Sequence, residues 1–165
     1  MYAYALYERG FVHQAHQVLT DIYQQSINFE VSRMYPGIPE YFDSRGRGVY
    51  PYLTGSASWY LFTLLTQAFG VRGHLGDLLI KPKLVLSQFD EEGNASIQTR
   101  FAERDLLITF HNPDKKDFGA YQISKVFVDG ELITEATELQ SCVIEKIHLD
   151  ALKPLSNHDI DIFLN

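Results

Sequence analysis

Between Ser56 and Phe69 the sequence reads SASWYLFTLLTQAF, and this segment limits the fold more than any other. Trp59, Tyr60, Leu61, Phe62, Leu64 and Leu65 cover most of the circumference of a helical projection. A helix that is apolar all round is stable only when other structure covers every side. Two or three helices do not do that for one another, so the pattern predicts covering strands or further helices outside this chain. The second is the expectation: the chain reads as a fragment, the end of a larger helical assembly.

The remaining helical signal lies before this segment. Phe11, Ala15, Val18, Leu19, Ile22 and Tyr23 recur at three- and four-residue spacing and predict one amphipathic helix. A shorter helix over Tyr2 to Tyr7 precedes it and stops at Gly10. From Asn28 to Pro51 the chain carries Pro36, Gly37, Pro39, Gly46, Gly48 and Pro51, which predicts a long loop. Loops of that length in compact domains are commonly functional. The apolar helix then runs from about Ser56 to Phe69, with Gly70 as a left-handed cap.

After Gly76 the period changes to two. Ala95, Ile97, Thr99 and Phe101 alternate, as do Leu106, Ile108 and Phe110, and then Ile160, Ile162 and Leu164. The segment YQISKVFV ends in Asp129-Gly130, a hairpin turn. Helices followed by short strands predict an α+β chain, with helices over 1–76 and a small antiparallel β-sandwich over 77–165.

Composition narrows the function classes. Hydrophobic residues make up 45% and charged residues 21% of the chain, which is the balance of a folded globular protein rather than a disordered one. The formal charge is −7 and the basic residues do not cluster, so nucleic acid is not an expected partner. No apolar run reaches about 18 residues, so no membrane span is expected. The first ten residues, MYAYALYERG, lack the basic start and small-residue cleavage site of a secretion signal. With a single cysteine, Cys142, a cytoplasmic location is the expectation.

The approach to the apolar helix carries the chemistry. Gly46 to Ser58 reads GRGVYPYLTGSAS. A helix N-terminus presents unpaired N–H groups and the positive end of the dipole, which suit an anion. Gly55 lets a ligand approach the backbone, and the hydroxyls of Thr54, Ser56 and Ser58 can donate to an oxyanion. Ser and Thr are also ordinary helix caps, and on spacing alone capping is the simpler account of them.

GRGVYPYLTGSASWYLFTLLTQAFGVRG, followed by GDLLIKPKL, resembles the C-terminal end of the catalytic region in glycoside hydrolase family 94, the cellobiose-phosphorylase-like enzymes. ITFHNPDKKDFGAYQISKVFVDG is similar to the C-terminal sandwich of the same family. The likeness covers nearly the whole chain. The phrase AFGVRGHLGDLLIKPKLVLSQFDEEG resembles the β-1,2-oligoglucan phosphorylase subgroup in particular.

The resemblance implies the last helices of an (α/α)6 barrel followed by a β-sandwich. It implies an inverting phosphorylase that cleaves β-linked gluco-oligosaccharides with inorganic phosphate and releases α-sugar 1-phosphate. Phosphate is a co-substrate, and no metal or organic cofactor is implied. One carboxylic acid suffices in such a reaction, because phosphate replaces the water that a second carboxylate would activate. The family's phosphate contacts map onto Thr54 and Gly55. Its general acid and its phosphate-binding histidine and arginine lie upstream of the segments matched, so no catalytic residue is assigned in this chain. The implied partners are oligosaccharide, phosphate and either the remainder of the barrel or a second copy.

Around that core, Ser56, Arg47, Tyr50 and Tyr52 are candidate substrate or anion contacts. Glu40 and Asp43 are the nearest carboxylates, and exposed loop charge is the simpler reading of both. Arg45 and Arg47 either assist an anion or only solvate the loop. Trp59, one turn into the helix, reads as core rather than sugar platform. His111 reads as a turn residue, and His13 and His16 as helix surface or packing groups. No His or Cys spacing suits a metal. Two other readings remain open: a carbohydrate-binding module using the strand half, and an interaction subunit completing a barrel supplied by another chain.

Overall fold

A computed structural model describes residues 1–34, 37–52 and 54–165. The chain is α+β and forms two compact units, Met1–Ala68 and Phe69–Asn165. The boundary falls before Gly76 because Val71–His74 already pairs as a strand. Pro36 of the expected loop and Leu53 of the Leu53-Thr54-Gly55 run lie outside the described residues.

In the first unit, α1 (Tyr2–Glu8) and α2 (Val12–Ile27) form a helical pair. Gly10, at φ +80°, makes the turn between them. Its N–H donates to Tyr7 O at 3.1 Å and the Phe11 N–H donates to Leu6 O at 2.9 Å. These two bonds satisfy carbonyls that the last turn of a helix leaves unpaired, in the Schellman arrangement. Tyr7 is buried completely. The buried face of α2 is Val12, Ala15, Leu19 and Ser26, so the apolar stripe sits slightly round from the spacing first read. Phe11 caps α2 and is exposed, as is Tyr23.

The predicted long loop is partly ordered. A single turn, α3 (Phe29–Ser32), is anchored by the buried Ser32 hydroxyl donating to Ser26 O at 2.8 Å. A small antiparallel hairpin follows, β1 (Tyr41–Phe42) against β2 (Gly48–Val49). The Gln25 side chain ties its turn to α2 by donating to Gly46 O at 2.8 Å.

The apolar segment forms α4 (Gly55–Thr63), then a π-helical turn over Leu64–Ala68. Thr63 and Thr66 each turn a hydroxyl back onto the carbonyl four residues earlier, Trp59 O at 2.6 Å and Phe62 O at 2.7 Å. Such back-bonding bends a helix and fits the widened turn. Tyr4 of α1 stacks on Phe62 at 5.6 Å and meets Trp59 edge-on at 5.6 Å, joining α1 to α4. Within this chain the helix is not enclosed on all sides: Leu61 and Phe62 remain 66% and 47% exposed.

The second unit contains two sheets. Strands β3 (Val71–His74), β4 (Asp77–Ile80) and β9 (Cys142–Ile144) form an antiparallel three-stranded sheet. The larger sheet combines β5 (Asn94–Phe101), β6 (Arg104–His111), β7 (Ile123–Val128), β8 (Glu131–Leu139) and β10 (Asn157–Leu164). Its order is β5-β6-β10-β7-β8, antiparallel except that β10 runs parallel to β6. Alternate residues of the three central strands face the core: Leu106, Ile108 and Phe110, then Ile160, Ile162 and Leu164, then Val126 and Val128. Asp129 and Gly130 both have positive φ and make the tight turn between β7 and β8.

Polar clasps close the loops of this unit. The Tyr121 hydroxyl accepts from Leu84 N at 2.8 Å and donates to Leu84 O at 2.9 Å. Buried Asn112, before Pro113, bonds both ways across its turn to Lys116. A short helix, α5 (Lys146–Ala151), buries Leu149 and hangs from Asp77, whose carboxylate accepts from Lys146 N at 2.7 Å.

Candidate functional site

The N-terminus of α4 is built from two segments sixteen residues apart. Thr54 is the cap, in extended conformation, and its hydroxyl accepts from Ala57 N at 2.9 Å while reaching Ile38 O at 3.4 Å. Gly55 is the first helical residue and sits outside the left-handed region, so its role lies in the space it leaves rather than in its conformation. The Ser56 N–H donates to Glu40 Oε2 at 3.1 Å, and the Ser56 hydroxyl donates to Glu40 O at 2.8 Å. A carboxylate therefore stands on the positive end of the helix, where the dipole and the exposed N–H groups favour it.

Glu40 is exposed, as expected of loop charge, yet its carboxylate and carbonyl both have a definite partner in Ser56. Its backbone is fixed from both sides, with Glu40 N donating to Val49 O and Tyr50 O at 3.1 Å each. A Cβ added at Gly55 would lie 3.7 and 3.8 Å from the two Glu40 carboxylate oxygens. That is ordinary contact, so the two residues nearly touch without crowding.

Asp43 gathers the hairpin turn, taking the Arg47 guanidinium and the backbone N–H groups of Arg45 and Arg47. Asp43 Oδ1 accepts from the N–H groups of Arg45 and Arg47 at 2.9 Å, and Oδ2 accepts from the Arg47 guanidinium at 2.9 Å. The Arg47 backbone bond outranks the other causes that hold the Asp43 carboxyl below its usual range, with partial desolvation opposing and the Arg47 side chain adding to it. Arg47 thus has an anion of its own. Tyr50, at φ +57°, faces Tyr41 with ring centroids 6.3 Å apart, and Tyr52 is 79% exposed.

Glu40, Gly55 and Ser56 open onto a cavity of about 410 Å³ inside this unit, walled by Tyr41, Trp59 and Tyr60 among others. Trp59, read from its position as core, lines this cavity and is partly exposed. Burial raises the Tyr60 hydroxyl above its ordinary range, with the neighbouring Tyr23 adding to it, so it stays a neutral donor. Arg47, Tyr50 and Tyr52 are not among the residues lining this cavity, and Thr54 meets it only through its neighbours. The Glu40 carboxylate thus stands on the α4 N-terminus with an aromatic, partly apolar chamber beside it.

Elsewhere, two histidines have defined partners. His111 ends β6, not a turn; its ring nitrogens lie 2.8 Å from Asn94 Oδ1 and 2.7 Å from Asp161 Oδ1, and it stacks on Phe163 at 4.6 Å. His158, only 6% exposed, lies 2.7 Å from Asp129 Oδ2 and 2.8 Å from Lys153 O. Neither arrangement was legible locally, because the partners are 50 and 29 residues away. Among the described residues no group of three His, Cys, Asp or Glu side chains could hold a metal. No helix among them is long and apolar enough to cross a membrane. No protein-family model matches the chain, and comparison with curated proteins finds no match.

Proposed function

We propose that this chain carries the phosphate-binding part of an inverting glycoside phosphorylase of the family 94 kind. In this reading α1, α2 and α4 are the last helices of an (α/α)6 barrel, and the two sheets of the second unit are its C-terminal β-sandwich. The substrates are a β-linked gluco-oligosaccharide and inorganic phosphate, and the setting is the cytoplasm. Phosphate attacks the anomeric carbon while a carboxylic acid, supplied by barrel segments outside these residues, protonates the departing glycosidic oxygen. The products are α-sugar 1-phosphate and a shortened oligosaccharide.

The observation that carries the reading is the start of α4. Its Ser56 N–H already holds an oxyanion, the Glu40 carboxylate, at the rim of an aromatic-walled cavity. Gly55 carries no Cβ on that side, where one would meet only the Glu40 carboxylate oxygens at 3.7 and 3.8 Å. Fixed donors at such a position orient a nucleophile and restrain its oxygens.

The test is a titration of inorganic phosphate followed by the backbone amide resonances of Gly55 and Ser56. Saturable shifts at those two amides are expected, with a dissociation constant of about 1 mM or tighter. Gly55→Ala keeps the helix, since alanine favours it by about 1 kcal/mol over glycine, but puts a methyl on the anion's path. The substituted protein should fold and lose the shifts. Unchanged phosphate binding in Gly55→Ala, or no shift in the wild type, sinks the proposal.

A second reading is favoured by the exposed apolar surface of Leu61 and Phe62 on α4. There the helices are completed by another polypeptide, either the rest of the barrel or a second copy. Light scattering should then give a mass above 18.9 kDa for the particle this chain forms.

A further inference from the structure

Among the described residues the two sheets of the second unit end in four edge strands, β3, β9, β5 and β8. Three of them are blunted in ways that keep sheets from joining. β3 and β9 are only four and three residues long. β8 pairs in an irregular register and carries Glu131 and Glu135. β5 has none of these protections. It runs for eight residues, pairs with β6 in an unbroken register, and has no charge, proline or glycine from Asn94 to Thr99.

The direction of its backbone groups follows from Asn94. The Asn94 N–H donates to Asp90 Oδ1 at 2.7 Å and its carbonyl accepts from Asp90 N at 2.9 Å, so both point away from β6. Backbone groups alternate in direction along a strand, which turns the N–H and C=O of Ser96, Gln98 and Arg100 the same way. These three residues are exposed, and among the described residues nothing bonds their outward backbone groups. On the core side Ile97, Thr99 and Phe101 are only half-buried, whereas Leu106, Ile108 and Phe110 of β6 are buried. The core face therefore runs out uncovered at this edge.

We propose that β5 pairs antiparallel with β5 of a second copy of the chain, across a two-fold axis at Gln98, joining the two larger sheets edge to edge. In that register Ser96 of each copy lies opposite Arg100 of the other, and Gln98 lies opposite Gln98. Each such pair exchanges both of its backbone hydrogen bonds, so the free groups of one strand satisfy those of the other with none left over. A second copy is the occupant because one register meets every free group on both strands at once. Arg100 is the only charge in β5, and its two copies stand four residues apart along the strands, about 14 Å, so like charges are not opposed. An uncharged seam also suits two chains that each carry a formal charge of −7. On the core side Ile97 meets Thr99 of the other copy, which carries the buried face across the axis. The pairing lies wholly in the second unit and does not depend on phosphate binding at α4.

Sedimentation equilibrium of the full 165-residue chain tests it, in the wild type, in Gln98→Lys and in Gln98→Pro. Lys sets two like charges directly opposite at the axis, and Pro removes an outward N–H without touching the ladder to β6. Circular dichroism checks the fold, and a defect in one variant leaves the other to report. The wild type should approach twice 18.9 kDa as its concentration rises towards about 1 mM, while both variants stay at 18.9 kDa. Oxidation reads the register: Gln98→Cys should form a disulfide-linked dimer, whereas Ser96→Cys, with its two thiols about 14 Å apart, should not. Cys142, at 5% exposed, stays out of that reaction. A wild type that remains monomeric overturns the proposal. So does a dimer that persists in both Gln98 variants, or one that crosslinks as readily at position 96 as at 98; either result moves the interface to another face, such as that of α4.

Discussion

Gly70 offers a stability prediction whose size follows from the geometry. It has φ +71°, and a Cβ built there would stand 1.8 Å from Lys81 O and 2.2 Å from Lys81 C. Those atoms cannot rotate away, because Lys81 N is bonded to Gly70 O at 2.9 Å as β3 and β4 begin to pair. Gly130, in the same unit, has φ +80° but nothing within 4 Å of the added carbon. The two glycines therefore share the conformational requirement and differ in the collision. Gly130→Ala should cost about 1 kcal/mol, the expense of a left-handed alanine. Gly70→Ala adds overpacking against fixed backbone and should lose roughly 3–5 kcal/mol. Urea unfolding followed by far-ultraviolet circular dichroism in the strand band reads both, and a 1 kcal/mol loss shifts a thermal midpoint by about 2–4 °C in a chain of this size. Equal losses from the two substitutions would refute the collision and leave backbone conformation as the whole cost.

The His158 clasp should make stability depend on pH. The Lys153 carbonyl and the Asp129 carboxylate raise the His158 pKa, outweighing desolvation, so its contribution is full below about 6.5 and is lost as pH rises through the raised value. Burial pushes the Asp129 carboxyl up, but bonds from His158 and from Asp159 N more than offset it; its contribution is present above about 3.9 and lost as pH falls through the lowered value. Stability from the pair thus peaks between those limits. His158→Gln should lose about 1 kcal/mol at pH 6, the low end for a charge-assisted bond because the Asp129 side chain is 44% exposed, and its denaturation midpoint should vary less between pH 6 and 8 than that of the wild type. A wild-type midpoint that rises over the same interval would reverse the assignment. Cys142 is 5% exposed and burial pushes its thiol up to about 12, so iodoacetamide at pH 8 should label it only after unfolding. Rapid labelling of the native chain would contradict that burial.

Local chemistry made part of this fold readable. Gly10 ends α1 because only a residue free of a Cβ turns so cheaply into the left-handed region, and the alternation in β6 and β10 marks faces that the structure buries, whereas in β5 only Ala95 is buried and Ile97, Thr99 and Phe101 are half-buried. Asp129-Gly130 announces its turn for the same reason. What failed was whatever depended on distant partners or on a change of period. The helical projection of Ser56–Phe69 assumed 3.6 residues per turn throughout, whereas the π turn shifts the phase midway. Thr63 before it and Gln67 and Ala68 within it are the buried positions, so part of the all-round apolar appearance came from superposing two different phases. α3 and the β1–β2 hairpin, two to four residues per element, lie below the length at which periodicity carries a signal. At the candidate site, Thr54, Gly55 and Ser56 stand at the helix start as read, but Glu40 reaches them only through tertiary closure of the intervening loop.

The place of β10 has a consequence for how the second unit is made. It is the last strand in sequence and the central strand of the larger sheet. The β5–β6 and β7–β8 hairpins can each form from near neighbours, but nothing joins their edges until β10 slides between them, in parallel with one and antiparallel to the other. Until β10 is in place each hairpin keeps an open edge of the kind that recruits foreign strands. The larger sheet is therefore not continuous until its last strand in sequence has paired with distant β6 and β7, and long-range pairing of that kind is intrinsically slow.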